Sequence, residues 1–156
     1  MASTYIKDYT NTFIIHDHEY EVTAPARFEC GSDRLLDDNQ LDDHAVEMAN
    51  QMYRDDQGLV SPIEIKSYRA KIGLNQREFA ELLGWSPNTV ALYETGAFPS
   101  KANNKLLKAL MKDAQILRTY LSLDDQLNKM TMQKIELALT KAQSSRSQHP
   151  RSIDVS

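Results

Sequence analysis

Polar and apolar positions change rhythm along the chain, and each change predicts an element. Thr12 to His16 and Glu19 to Thr23 alternate around the turn-like Asp17-His18, which predicts a β-hairpin. Beyond Pro25, the stretch from Ala26 to Cys30 alternates again and predicts a third short strand. Residues 1 to 11 show no such rhythm and are expected to be loose. From about Asn39 to Asp55 the spacing lengthens: Leu41, Ala45, Met48 and Met52 fall on one stripe of a helix. The aspartates at 37, 38, 42 and 43 suit the positive end of that helix, so they read as a solvated helix start rather than an active site.

Gln57-Gly58 closes this piece, and a run of capping signals follows. Ser61-Pro62-Ile63-Glu64 puts a capping serine, a first-position proline and a third-position glutamate in the order that satisfies orphan amides at a helix start. Ile65, Tyr68 and Ile72 give that helix its inner stripe, and Gly73 is placed to end it. Asn75-Gln76-Arg77-Glu78 repeats the capping box, with Leu74 and Phe79 as a hydrophobic staple and Gly84 as the stop. Ser86-Pro87 opens a third helix running to about Glu94. Its inner side carries Val90 and Tyr93, and its outer side carries Ser86, Asn88, Thr89 and Leu92. Ser100 caps a fourth helix with Leu106, Leu107 and Leu110, and Ile116, Leu117, Tyr120 and Leu121 mark a fifth.

The expected architecture is therefore mainly α. An α+β module over residues 1–57, with three short strands and one helix, precedes a five-helix helix-turn-helix domain over 58–121. Ser122-Leu123-Asp124-Asp125 predicts another helix start, with a helix over 122–143 and a possible break near Thr131. Met132, Ile135, Leu139 and Ala142 form a stripe on it that suits either packing against the fourth and fifth helices or a homodimer seam. Residues 144–156, rich in serine, read as a disordered tail.

Charge sharpens the division. Residues 1–57 carry 4 Lys/Arg against 13 Asp/Glu, a net of −9, whereas residues 58–113 carry 8 against 5, a net of +3. The overall −4 thus hides a basic helical domain that suits a polyanion and an acidic module that suits a basic partner. A single cysteine, Cys30, excludes an internal disulfide and a multi-cysteine zinc site, and no long apolar run suggests a membrane span. The expected location is the cytoplasm.

At the level of motifs, Asn75-Gln76-Arg77-Glu78-Phe79-Ala80, Leu83-Gly84-Trp85 and Tyr93-Glu94-Thr95-Gly96 resemble the lambdoid-repressor (Xre) helix-turn-helix family, over about one third of the chain. An acidic module leading through Gly58-Leu59-Val60-Ser61-Pro62 into Leu83-Gly84-Trp85 is also similar to antitoxin regulators of the MqsA/YgiT type. The first resemblance implies a structural salt bridge between Arg69 and Glu94. It implies phosphate contacts from Gln76, Arg77, Ser86 and Lys101, and base reading by Asn88 and Thr89. Leu92 departs from the polar or basic residue common at its position, so a thymine methyl contact would replace a hydrogen bond there. Together these imply a sequence-specific, autoregulatory repressor that binds an inverted-repeat operator in double-stranded DNA as a homodimer. The second resemblance implies the antitoxin of a toxin-antitoxin pair, its acidic module masking a basic, RNA-cutting toxin.

That second family commonly carries a zinc ribbon with two Cys-x-x-Cys pairs. Here Arg27 falls at the partner position of Cys30, so no structural metal and no cofactor are expected. His16, His18, Cys30 and His44 lack a metal-binding spacing. His16-Asp17-His18-Glu19 lacks a partner constellation, so no catalytic residue is assigned and an enzyme is not expected. The alternative function is a protein-interaction module that neutralises a basic partner without specific DNA binding.

Overall fold

The computed structural model describes residues 3–123 and 129–148, and the chain divides into two compact units between Leu59 and Val60. In the first unit, strand β1 (Thr4–Ile15) pairs antiparallel with β2 (His18–Glu29), and a two-residue strand β3 (Leu35–Leu36) adds to the far side of β2. Helix α1 (Asn39–Gln57) lies against the sheet.

The hairpin is longer and simpler than its pattern suggests. Residues 4–11, expected to be loose, belong to β1, and β2 runs unbroken through Pro25 instead of splitting into two strands. Two physical reasons account for this. The β1 face paired with the buried residues of β2 carries Lys7 and Asn11 among its aromatics, which erases the alternation; Lys7 Nζ sits 4.8 Å over the Phe28 ring. Pro25 is tolerated because β3 reaches only Arg27 and Phe28, leaving an edge at Pro25 that needs no amide donor. The turn is His16-Asp17, one residue earlier than expected. Both residues have positive φ (46° and 67°), as a tight two-residue hairpin loop requires.

Tyr20, Val22, Ala24, Ala26 and Phe28 of β2 are buried, and Ala45, Met48 and Ala49 of α1 pack toward that face. Met52, placed on the inner stripe by spacing alone, is exposed, and Ala49 takes the central position. Asp38 caps α1, accepting the Leu41 N–H, and pairs with Arg27 at 2.7 Å; Gly58 ends the helix with φ of 66°. The acidic run is thus the helix start that the sequence indicates.

The second unit contains α2 (Pro62–Lys71), α3 (Gln76–Leu83), α4 (Pro87–Glu94), α5 (Lys101–Lys112), α6 (Ala114–Ser122) and α7 (Lys129–Gln148). Both expected capping boxes are present: Ser61 exchanges hydrogen bonds with Glu64, and Asn75 with Glu78. Ser86 and Ser100 cap α4 and α5, and Gly84 terminates α3 with φ of 72°. One core joins all the helices, from Ile65 and Ile72 through Phe79, Leu82, Leu83, Val90 and Tyr93 to Leu107, Leu110, Leu117 and Leu121.

The expected count of five helices is one short, because α7 contributes Ile135 and Leu139 to this same core. Its buried stripe is Thr131, Ile135 and Leu139, at i, i+4 and i+8, and Met132 is exposed. From Lys129 the helix runs through Thr131 to Gln148, into the stretch expected to be a tail. Asp124 and Asp125 of the expected capping box lie outside the described residues.

Candidate DNA-reading surface

The position of α4 is set by a clamp of charges. Arg69 of α2 donates to Glu94 at the end of α4 through Nε (2.7 Å) and Nη2 (2.9 Å), and its Nη1 donates to the carbonyl of Leu74 (2.9 Å). Glu94 is almost completely buried, with 3% of its side chain exposed, so this fork supplies the charge and the hydrogen bonds that burial removes. Burial opposes ionisation of Glu94. Hydrogen bonds from Arg69 and Gln76, with the attraction of Arg69 and Lys66, outweigh it and hold the carboxyl below its ordinary value of 4.5. The salt bridge expected from the family resemblance is therefore present in the fold.

Held this way, α4 buries Val90 and Tyr93 and turns Ser86, Asn88 and Leu92 to solvent, with Thr89 half-buried beside them. Tyr93 also receives the Asn103 side-chain amide of α5 (2.9 Å), a tie that joins α4 to the next helix. The Ser86 hydroxyl accepts the Thr89 N–H (3.2 Å) and lies 2.9 Å from the Thr89 hydroxyl, so these two groups satisfy each other while capping the helix. No side-chain hydrogen bond within the described residues occupies Asn88. Its amide, one donor and one acceptor group on the same planar end, is available to a base edge. Leu92 follows one turn later and is 49% exposed.

The residues expected to meet phosphate differ in readiness. Arg77 is 81% exposed and only loosely paired with Glu81, at 3.8 Å. Lys101 is exposed at the first turn of α5, where the helix end is itself positive. Gln76 is half-buried, and its amide donates to Glu94 (3.2 Å); the second amide hydrogen remains for a phosphate.

One contact has no local signature in the sequence. Lys134 of α7 grips both carboxylate oxygens of Glu78, each at 2.9 Å, and the buried Thr131 hydroxyl donates to the same carboxylate (3.4 Å). Glu78 thus closes the α3 capping box and anchors α7 beside it. Burial opposes its charge, but the Asn75 amide and Lys134 prevail and hold its carboxyl below 4.5.

Glu78 and Glu94 both contribute to the pH dependence of the helical unit's stability. Both folded values lie below the unfolded value of 4.5, so their contribution is complete above it and is lost as pH falls through the folded values. Urea unfolding midpoints between about pH 7 and about pH 3 should hold steady and then fall below about pH 4.5, with a shallower fall in Glu78→Gln. A midpoint flat throughout that window would contradict this assignment.

In the first unit, His16 and His18 face the Tyr53 ring at 5.5 Å and 6.0 Å, and Cys30 is exposed. Among the described residues no three His, Cys, Asp or Glu side chains converge as a metal site, and no helix is long and apolar enough to cross a membrane.

Residues 65–116, from within α2 to the start of α6, match the helix-turn-helix family model. No curated protein matches the chain. The match covers about one third of the 156 residues, and it supports a DNA-binding transcription regulator.

Proposed function

We propose that the chain is a non-enzymatic, cytoplasmic, autoregulatory repressor that lays α4 in the major groove of its operator. The observation that carries this reading is the Asn88 amide, without a side-chain hydrogen bond among the described residues, on the exposed side of a helix fixed from behind by the Arg69–Glu94 fork. Asn88 bonds an adenine edge, Thr89 and Leu92 meet neighbouring bases, and Gln76, Arg77, Ser86 and Lys101 hold the phosphates on either side. One α4 covers only a few base pairs, so two copies of the chain bind half-sites about 34 Å apart in an inverted repeat.

The first unit has a separate task under this reading. Its net charge of −9 neutralises a basic partner, a toxin whose nucleic-acid-binding surface it covers, so the chain serves as both antitoxin and repressor.

Fluorescence anisotropy with the duplex upstream of the chain's own gene tests the DNA reading. Binding should exceed that of a scrambled duplex, and the logarithm of affinity should fall with the logarithm of salt by about 0.9 per phosphate contacted. Equal affinity for the two duplexes would leave the chain an interaction module and end the repressor reading.

A further inference from the structure

The sheet of the first unit has an open edge. Its strand order is β1-β2-β3, so β1 has a partner strand on one side only. The phase of the ladder fixes which backbone groups face that edge. Cys30 donates to the carbonyl of Ser3 (2.9 Å), whereas Glu29 donates away from β1, to the carbonyl of Arg34 (2.9 Å). With Ile15 opposite His18 across a two-residue turn, the odd residues of β1 bond to β2, and the amides of Ile6, Asp8, Thr10, Thr12 and Ile14 point outward. All five residues are exposed, and the Thr12 N–H is met by the neighbouring Asn11 side chain (2.9 Å).

Natural sheets blunt such an edge with prolines, bulges or short strands. β1 has none of these: it is 12 residues long, free of proline and in one-to-one register with β2. Its residues are instead arranged symmetrically about Thr10. Ile6 (54% exposed) and Ile14 (68% exposed) flank it at equal spacing on the face away from α1, and Tyr5 and Ile15 flank it on the α1 face. A second β1 laid antiparallel about Thr10 sets Ile6 opposite Ile14 of the other copy, Tyr5 opposite its Ile15 and Asp8 opposite its Thr12. Registers centred on Lys7 or Asp8 would instead put like charges face to face.

We propose that β1 is an interface between two copies of this chain, joined edge to edge about Thr10 into one antiparallel sheet with three strands from each copy. A two-fold contact of this kind is self-complementary, so one surface serves both copies. The edge carries one cation, Lys7, and one anion, Asp8, so it adds no repulsion of its own. Each first unit as a whole carries −9, so the copies repel at a distance and added salt tightens the pair. The interface belongs to the chain without DNA and does not rest on the DNA-binding reading.

Amide hydrogen exchange of the full chain without DNA, at low and high protein concentration, tests the interface. At high concentration the amides of Ile6, Asp8, Thr10 and Ile14 should exchange about tenfold more slowly, as when nearly all chains are paired, and added salt should deepen the effect. Lys7, Tyr9 and Phe13, already bonded to β2, should change far less. Thr10→Pro removes an outward donor but no bond to β2, so it should abolish the concentration dependence and keep the odd amides protected. In a Cys30→Ser background, Thr10→Cys should oxidise to a linked dimer, because opposed positions lie about 5.5 Å apart. Thr12→Cys, roughly 13 Å from its own counterpart in this register, should not. Unchanged exchange at the outward amides, an undiminished effect in Thr10→Pro, or linking of Thr12→Cys as readily as Thr10→Cys would overturn the proposal.

Discussion

Arg69→Leu is expected to destabilise the helical unit by about 3–5 kcal/mol, the magnitude for removing one partner of a buried ion pair. The loss is large because Glu94 is left nearly buried, with only the 3.2 Å bond from Gln76, and because the Leu74 carbonyl loses its donor too. Most domains have only about 5–15 kcal/mol to lose, so this loss takes a large share of the unit's stability. The double variant Arg69→Leu/Glu94→Leu should regain much of the loss, since no uncompensated charge remains. Urea denaturation of the three proteins measures both effects. A single-variant loss below about 1 kcal/mol would show that the fork does not hold α4.

Ile135→Ala should cost about 2–5 kcal/mol, as deletion of a fully buried aliphatic side chain does. This prediction separates the two readings of the last helix that its spacing leaves open. If Ile135 belongs to the core of one chain, the unfolding midpoint of the variant is shifted equally at every protein concentration. If it belongs to a seam between two chains, the shift grows on dilution. Leu137→Ala, at a position 58% exposed, should stay within about 0.5 kcal/mol of the parent.

The two units differ in how much of their structure could be read from residue order. In the helical unit the boundaries are written locally, in capping pairs three residues apart such as Asn75 with Glu78, and in glycines that must adopt positive φ, such as Gly84. Those signals do not depend on distant partners, so they survive without knowledge of the fold. The hairpin has no such markers. Its length depends on whether a partner strand lies beside Pro25, and its turn on which two residues accept positive φ; both are decided by pairing rather than composition. The same holds for α7, where the Lys134–Glu78 contact spans 56 residues and selects Thr131, not Met132, as the residue turned inward.

The candidate site divides along the same line. Asn88, Thr89 and Leu92 share a face at one-turn spacing, and that follows from helical geometry once Ser86 is recognised as the cap. The orientation of Gln76 does not, because its amide is drawn toward Glu94 by a carboxylate 18 residues away. Its place at the start of α3 is legible; its engagement with the charge clamp needed the structure.

The claim on which the functional reading turns is that the free side of α4 reads DNA bases. The most direct test compares the parent and Asn88→Ala, by anisotropy at fixed salt, on the upstream duplex and on a scrambled duplex of equal length. The variant should lose about 1–3 kcal/mol on the upstream duplex and almost nothing on the scrambled one. Equal losses on both, or no loss on either, would contradict it.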